Sequence, residues 1–318
     1  MKVSVVIATK NRKDELHRAI SSVIRQTELA EIVVLDDGSS DGTSDMVRSK
    51  FPHVRLDRTE SSLGCVVQRN RGAILCSGDV IFSIDDDAEF SSSRVIEQTV
   101  AGFCHPRIAA IAIPYVEPWN SSNRFQNAPN VDAIWVSDTF RGTSYAVRRQ
   151  VFLGLGGFRD QIFHQGEEMD FCIRLLNLGF IVRLGIGDGI LHYEVRQRDR
   201  RRIDFYGRRN DILFAWQNVP MPHFPVHLLA TTFNGFIYAL RSKRPYSMIA
   251  GILSGYLDMC LNRHWRQPVS RSSYRLQRAL KKQGPKTMDD IEPLLPPLSS
   301  LSPKSMWTSV DHICAEET

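Results

Sequence analysis

Residues 78–90 read GDVIFSIDDDAEF: a short apolar run, Val80–Ile84, delivers three consecutive carboxylates, Asp85, Asp86 and Asp87. Branched and aromatic residues in a run of this length favour a β-strand. Three like charges at the end of a buried strand repel one another unless a cation or donor groups meet them. A hard divalent cation, Mn2+ or Mg2+, is the simplest partner, because it takes one or two carboxylates and completes its shell with water and substrate phosphates. The stretch therefore reads as a metal and diphosphate site at a strand's carboxyl end, where open α/β sheets place their ligands. A solvated acidic loop is the competing reading.

The segments before it carry the same alternation. Residues 3–8 form a continuous β-rich run, residues 9–12 a turn, and Leu16, Ala19, Ile20, Val23 and Ile24 mark one apolar helix face. Residues 31–35 repeat the buried-strand pattern and end in DDGSSDG, followed by a helix over residues 43–50. An edge strand at residues 54–56 and a helix over residues 64–75, carrying Arg69, Asn70 and Gly72, lead into the acid-tipped strand. Strand and helix in strict succession predict an α/β fold, a Rossmann-like, doubly wound and mostly parallel sheet flanked by helices. Asp37, Ser39, Asp41 and Gly42 mimic the opening of a calcium loop, but its bidentate position falls on Arg48, which excludes that reading. Neither phosphate-loop signature is complete, since there is no GxxxxGK and GLGGFR at Gly154 lacks the last glycine of GxGxxG.

A chain of 318 residues, 42% hydrophobic and 24% charged, buries a sizeable core. Its net charge of +5 suits a phosphate-bearing ligand or an anionic membrane and falls short of a nucleic-acid binder's footprint, so no nucleic acid is expected. Six scattered cysteines without CxxC spacing fit a reduced, cytoplasmic chain and argue against zinc. The apolar run at the N-terminus is too short for a signal peptide, and no run reaches a membrane span.

Taken in order, SVVIATKNR at Ser4, VVLDDGSSDGT at Val33, RNRGA at Arg69, the Asp85–Asp87 cluster, FRGTSYAVRRQVFLGLGGFRD at Phe140 and HQGEEMDFCIRLLNLGF at His164 resemble the inverting glycosyltransferases of family 2, which have a GT-A fold. The resemblance implies an enzyme of the hexosyltransferase type. It would move a sugar from a UDP, dTDP or GDP donor to a hydroxyl of a glycan, lipid-linked or other acceptor, in polysaccharide or glycolipid biosynthesis. It places Thr9, Asp36, Asp37 and Arg69 on the donor, with Asp86 beside the ribose. Asp85 and Asp87 become the outer pair of a DxD metal motif, and His192 of DGILHYE a further metal ligand. Gly142, Thr143, Glu167 and Asp170 fall on the acceptor side. Glu168 stands where the family usually has an aspartate base, one methylene longer. Inversion needs such a carboxylate to take the acceptor's proton as its oxygen attacks opposite the departing diphosphate. A helix N-terminus whose first-turn acids favour the macrodipole is the plainer reading of the same three acids.

Two other functions stay open on the sequence: a nucleotidyltransferase, although SVVIATKNRK lacks the glycines of its phosphate loop, and a catalytically silent sugar-nucleotide binder, which would not need Glu168. The organisation expected is a GT-A domain over residues 1–215, a helical region over 216–266 and a poorly ordered tail over 267–318, rich in Ser, Pro and Lys. Residues 196–209 hold seven arginines, and residues 224–240 and 246–261 are apolar helices with basic flanks, RSKR and NRHWR. Helices of that kind lie in a bilayer interface, which would make the protein peripheral at the inner face of an anionic membrane; a packed helical subdomain or dimer interface is the alternative.

Overall fold

The structure is a computed structural model, and it describes residues 1–119, 121–193, 199–242 and 244–301. In chain order the elements are β1 (Val3–Thr9), α1 (Lys13–Ile24), β2 (Ala30–Asp36), α2 (Thr43–Lys50), β3 (Arg55–Arg58), α3 (Cys65–Leu75), β4 (Val80–Ile84), β5 (Ala88–Phe90), α4 (Val95–Ala101), β6 (Ile108–Ala112), β7 (Tyr115–Glu117) and β8 (Ser121–Phe125). There follow β9 (Trp135–Ser137), β10 (Ser144–Arg148), α5 (Arg149–Gly154), α6 (Glu167–Asn177), β11 (Ile181–Leu184), β12 (Ile190–His192), α7 (Arg200–Asn218), α8 (His223–Arg241), α9 (Pro245–Leu261), α10 (Arg271–Gln283), β13 (Lys286–Thr287) and α11 (Met288–Ile291).

The main sheet runs β13-β9-β11-β6-β10-β4-β1-β2-β3. β3, β2, β1 and β4 are mutually parallel, β10 is antiparallel to both β4 and β6, and β11 returns parallel to β6. Only β9 and β10 oppose the common direction, so the mostly parallel sheet is as expected. Its strands are buried on both faces because helices cover both, which is why β1 and β4 read as mostly apolar runs broken only by small hydroxyl residues, Ser4, Thr9 and Ser83. Leu16, Ala19, Ile20 and Val23 of α1 join the core on one face, and α3, α5 and α6 contribute to the core on the other. α3 lies close on the sheet because Gly72 has no side chain; a Cβ there would sit 2.3 Å from Val6 Cγ1.

A smaller sheet, β5-β12-β7-β8, stands beyond the end of β4. Its first strand begins directly after the acid triplet, an element the sequence reading missed because three residues show no periodicity.

The C-terminal third departs from the expected division. A boundary at residue 215 falls inside α7, which is packed against α8 and α9. The contact with α9 is close because Gly251 and Gly255, four apart and so on one face, meet the α7 backbone; a Cβ on Gly251 would lie 2.2 Å from Phe205 O. The expected poorly ordered tail is also corrected over residues 267–301. α10 packs on α6, burying Tyr274, Leu276 and Leu280, and β13 extends the main sheet beside β9. Polar composition misled here because α10 is amphipathic: a narrow apolar stripe suffices to dock a helix that is polar elsewhere. Residues 302–318 lie outside the described residues, as do Arg196 and Arg198 of the arginine-rich segment.

Candidate active site

β4 delivers Asp85, Asp86 and Asp87 to a place where three other segments converge. The turn after β1 brings Arg12, whose Nη1 lies 3.0 Å from Asp86 Oδ1 and 2.6 Å from Asp87 Oδ2. Thr9 donates its hydroxyl to Asp86 Oδ2 at 2.8 Å. β12 pairs with β5 so that His192 sits opposite Ala88, and its Nε2 points back at Asp87 Oδ1, 3.4 Å away, and Asp85 Oδ2, 3.9 Å away. From α3, Arg69 reaches Asp85 Oδ1 at 2.8 Å.

These neighbours divide the three acids. Burial pushes Asp86 up to about 7 despite Arg12 and Thr9. Burial works against Asp87 too, but hydrogen bonds from His192 and Arg12 hold it below the usual carboxylate range. His192 is moved the other way: burial disfavours its charge, and the Asp87 bond with the charges of Asp85, Asp87 and Glu117 outweighs that and raises it.

Asp85, Asp87 and His192 offer ligand atoms that all lie within 4.8 Å of one another. The second imidazole nitrogen, Nδ1, is buried without a hydrogen-bond partner, with Glu117 Oε1 3.8 Å away. A carboxylate behind a histidine is the usual support of a metal-bound imidazole. Two carboxylates, one nitrogen and open positions fit a divalent cation of the Mn2+ or Mg2+ kind.

Arg69 ties this cluster to the second acid motif. Buried, it contacts Asp85, donates to Gly142 O at 3.1 Å, and lies 3.2 Å from Glu167 Oε1. Gly142 in turn gives its N–H to Glu168 Oε1 at 2.9 Å. The Gly142 position admits no side chain without displacing the pair: a Cβ would lie 2.7 Å from Glu168 Oε1 and 2.8 Å from Arg69 Nη1. α6 starts after Gly166, which has a φ of +91°, a conformation glycine adopts without strain, so Glu167 and Glu168 occupy the first turn. Burial and the charge of Glu168 raise Glu167 well above the usual range although Arg69 is near. Thr143 Oγ1, beside Gly142, is buried and unpartnered.

Other acids expected to touch ligands are met by donors of the protein itself. Asp36 is fully buried, accepting Ser39 N at 2.8 Å and the hydroxyl of Ser44, so it shapes the loop after β2. Asp37 accepts Leu63 N, Gly64 N, Ser62 Oγ and Gln68 Nε2, two donors on each oxygen, and fastens residues 62–64 to the same loop. Thr9 spends its hydroxyl on Asp86, and Asp86 meets Thr9 and Arg12 where a ribose contact was expected. Asp170, expected on the acceptor side, is completely buried, held by Arg159 Nη1 at 2.7 Å, Asn218 Nδ2 at 2.7 Å and Arg174 Nε at 2.9 Å. Glu167, also expected there, is buried against Arg69. In each case the donors that surround the carboxylate, which no local pattern shows, decide where it points. Arg12 and Glu117 were not assigned from the sequence; a cation in the turn after β1 was the only available signal for the first.

Residues 4–159 match the sequence model of Glycosyl transferase family 2. The chain carries a family 2 glycosyltransferase domain. It is 25% identical over 205 residues to the probable glycosyltransferase YdaM of Bacillus subtilis, covering 57% of this chain and 48% of that protein. It is 26% identical over 196 residues to the succinoglycan biosynthesis protein ExoU of Rhizobium meliloti, covering 56% and 57%. The chain thus matches about half the length of these curated relatives. Among solved structures, S. aureus TarS superposes with a TM-score of 0.59 at 16% identity, over 92% of this chain and 55% of that one. The mannosyltransferase PcManGT from Pyrobaculum calidifontis, solved with GDP-Man and Mn2+, gives 0.54 at 18% identity, over 89% and 81%. The chain therefore has the GT-A fold of these glycosyltransferases, and the acid cluster of β4 lies inside the matched region.

Proposed function

We propose that this protein transfers a sugar from a nucleotide-sugar donor to an acceptor hydroxyl by a single inverting displacement, with Glu168 as general base. The observation that carries the reading is the Arg69–Gly142 bridge, which couples the acid cluster to a half-buried carboxylate at the start of α6. Asp85, Asp87 and His192 would hold a Mn2+ or Mg2+ ion, which neutralises charge on the departing diphosphate. Arg12 presents a second cation at the same acids, within reach of an anionic donor. Glu168, its Oε1 fixed by the Gly142 N–H, keeps its other oxygen for the acceptor proton. With burial holding Glu167 towards its protonated form, that neighbour sets no second negative charge beside Glu168.

Removal of Asp87 tests the donor half. Asp87→Ala should abolish the Mn2+-dependent rise in melting temperature given by a panel of UDP, GDP and dTDP, while circular dichroism stays that of the wild type. An unchanged metal-dependent shift in the folded variant would overturn the assignment.

We further propose that α8 and α9 rest on an anionic membrane surface. Val226, Leu229, Phe233, Phe236 and Leu240 form one exposed apolar stripe at alternating steps of three and four, and Leu253, Leu257 and Leu261 form another. Exposed Arg241 and Arg263 flank them. No helix among the described residues is long and apolar enough to cross a membrane, so the stripes would lie in its interface.

A further inference from the structure

Beside the start of α6, α7, α8 and α10 line a cleft of about 170 Å³. A water occupies about 30 Å³ of liquid volume, so the cleft takes several waters or one tetrahedral anion. Met169, the residue after Glu168, forms part of its wall, and none of the residues assigned to the metal or the donor lines it.

Its charges are unbalanced. Arg208, Arg278 and Lys281 line it against a single acid, Asp211, which Arg208 Nη2 already engages at 2.9 Å. Arg278 and Lys281 have no carboxylate within ion-pair distance among the described residues; Lys281 Nζ rests 3.2 Å from Met169 Sδ. The field of these two cations is felt by His227 in the same wall: burial first, then Arg278 and Lys281, push its imidazole down to about 4, so the ring is neutral. Its Nδ1 is 2.7 Å from the Tyr274 hydroxyl, and when it accepts from that hydroxyl the ring's proton resides on Nε2 as a donor.

An independent observation comes from Gln277. This side chain is only 1% exposed, lines the cleft, and its Nε2 has no hydrogen-bond partner. A buried amide donor without an acceptor costs free energy unless something in the cleft receives it. Two cations without an ion-pair partner among the described residues and a buried, unsatisfied N–H donor share a preference for one class of ligand, an anion with several acceptor oxygens.

We propose that the cleft binds a phosphate group carried by the acceptor. The assignment of the phosphate to the acceptor rests on the glycosyl-transfer reading, since Met169 in the cleft wall directly follows the candidate base in α6; the anion site itself does not depend on it. Phosphate in the cleft would anchor the acceptor while a hydroxyl further along it reaches Glu168. Lys281 also acts electrostatically on Asp138, in the loop leading to Gly142, so the cleft and the acceptor-side loop share a charged neighbour.

The test uses two phosphate probes in the presence of EDTA, which removes divalent metal from the acid cluster. Glucose 1-phosphate represents a soluble phosphorylated acceptor, and vesicles containing phosphatidic acid represent a lipid one, with pure phosphatidylcholine vesicles as the blank. The full-length protein should bind at least one probe, and which one identifies the source of the phosphate. The double substitution Arg278→Ala/Lys281→Ala, at exposed positions, should weaken that binding by about tenfold or more. Gln277→Met keeps the volume and every charge but removes the buried donor, and should weaken it several-fold. Equal binding by Gln277→Met and wild type would reduce the cleft to diffuse surface charge and overturn the proposal, as would binding of neither probe by the wild type. Mn2+-dependent binding of nucleoside diphosphate should be unchanged in both variants. Its absence from the wild type would defeat the transfer reading while leaving the phosphate result to stand or fall alone.

Discussion

Asp170→Asn separates a structural carboxylate from an acceptor contact. Asp170 lies in the first turn of α6 with no exposed surface, and its two oxygens take three short hydrogen bonds, from Arg159, Asn218 and Arg174. Arg174 also donates to Leu155 O and Gly157 O, and Asn218 closes α7, so the carboxylate joins α6, the loop after α5 and the end of α7. Burial already lowers the pKa of Arg159 in spite of Asp170, a sign of how much that guanidinium relies on its partner. Asparagine keeps the size but turns an N–H2 group towards a donor and leaves two largely but not fully buried guanidinium groups without a counter-charge. Breaking a buried ionic contact in this way costs about 3–5 kcal/mol. At about 2–4 °C per kcal/mol for a domain of this class, the melting temperature should fall on the order of 10 °C. Urea unfolding followed by circular dichroism measures the loss directly. A variant as stable as wild type to within about 1 kcal/mol, but defective with acceptor, would refute the structural assignment and restore Asp170 to the acceptor site.

Glu168→Gln should lower turnover by about 10²- to 10⁴-fold with nucleoside diphosphate affinity unchanged, measured as nucleotide release from the donor, and full activity in this variant would assign the base elsewhere. Glu168→Asp should also be slower, because the Gly142 N–H fixes the longer side chain and the shorter one withdraws from the acceptor; a rate equal to wild type would mean that the extra methylene is immaterial. Asp37→Asn should cost about 1–3 kcal/mol at neutral pH by leaving donors unmatched. Four donors hold Asp37 below its ordinary 3.8 against the pull of burial, so its contribution is present above that pH and fades below it. The stability gap between variant and wild type should therefore narrow below about pH 4, and a gap independent of pH would contradict this. Phe233→Asp together with Leu240→Asp should reduce sedimentation with anionic vesicles; if binding persists and a solution dimer is lost instead, the apolar stripes serve a second copy of the chain.

Much of the framework was determined by sequence alone. Val3–Thr9, Ala30–Asp36 and Val80–Ile84 are buried on both faces over most of their length and so had to be mostly apolar runs, and the helical stripe of α1 had to face them. The order of the motifs carried the family, and three carboxylates at a strand end already called for a cation. What only the tertiary structure decided is which groups meet those carboxylates. Arg12 and Asp87 are 75 residues apart, and Arg69 and Glu167 are 98 apart. His192 arrives through the pairing of two three-residue strands. Periodicity tells which side of an element is buried, but a carboxylate's role depends on the donors that reach it through space. Asp85 and Asp87 therefore became candidate metal ligands, while Asp36, Asp37 and Asp170, equally acidic in sequence, became anchors of the chain. The same reason hid the return of α10 and β13 to the main domain: their few apolar residues mean little until α6 and β9 are in place to receive them.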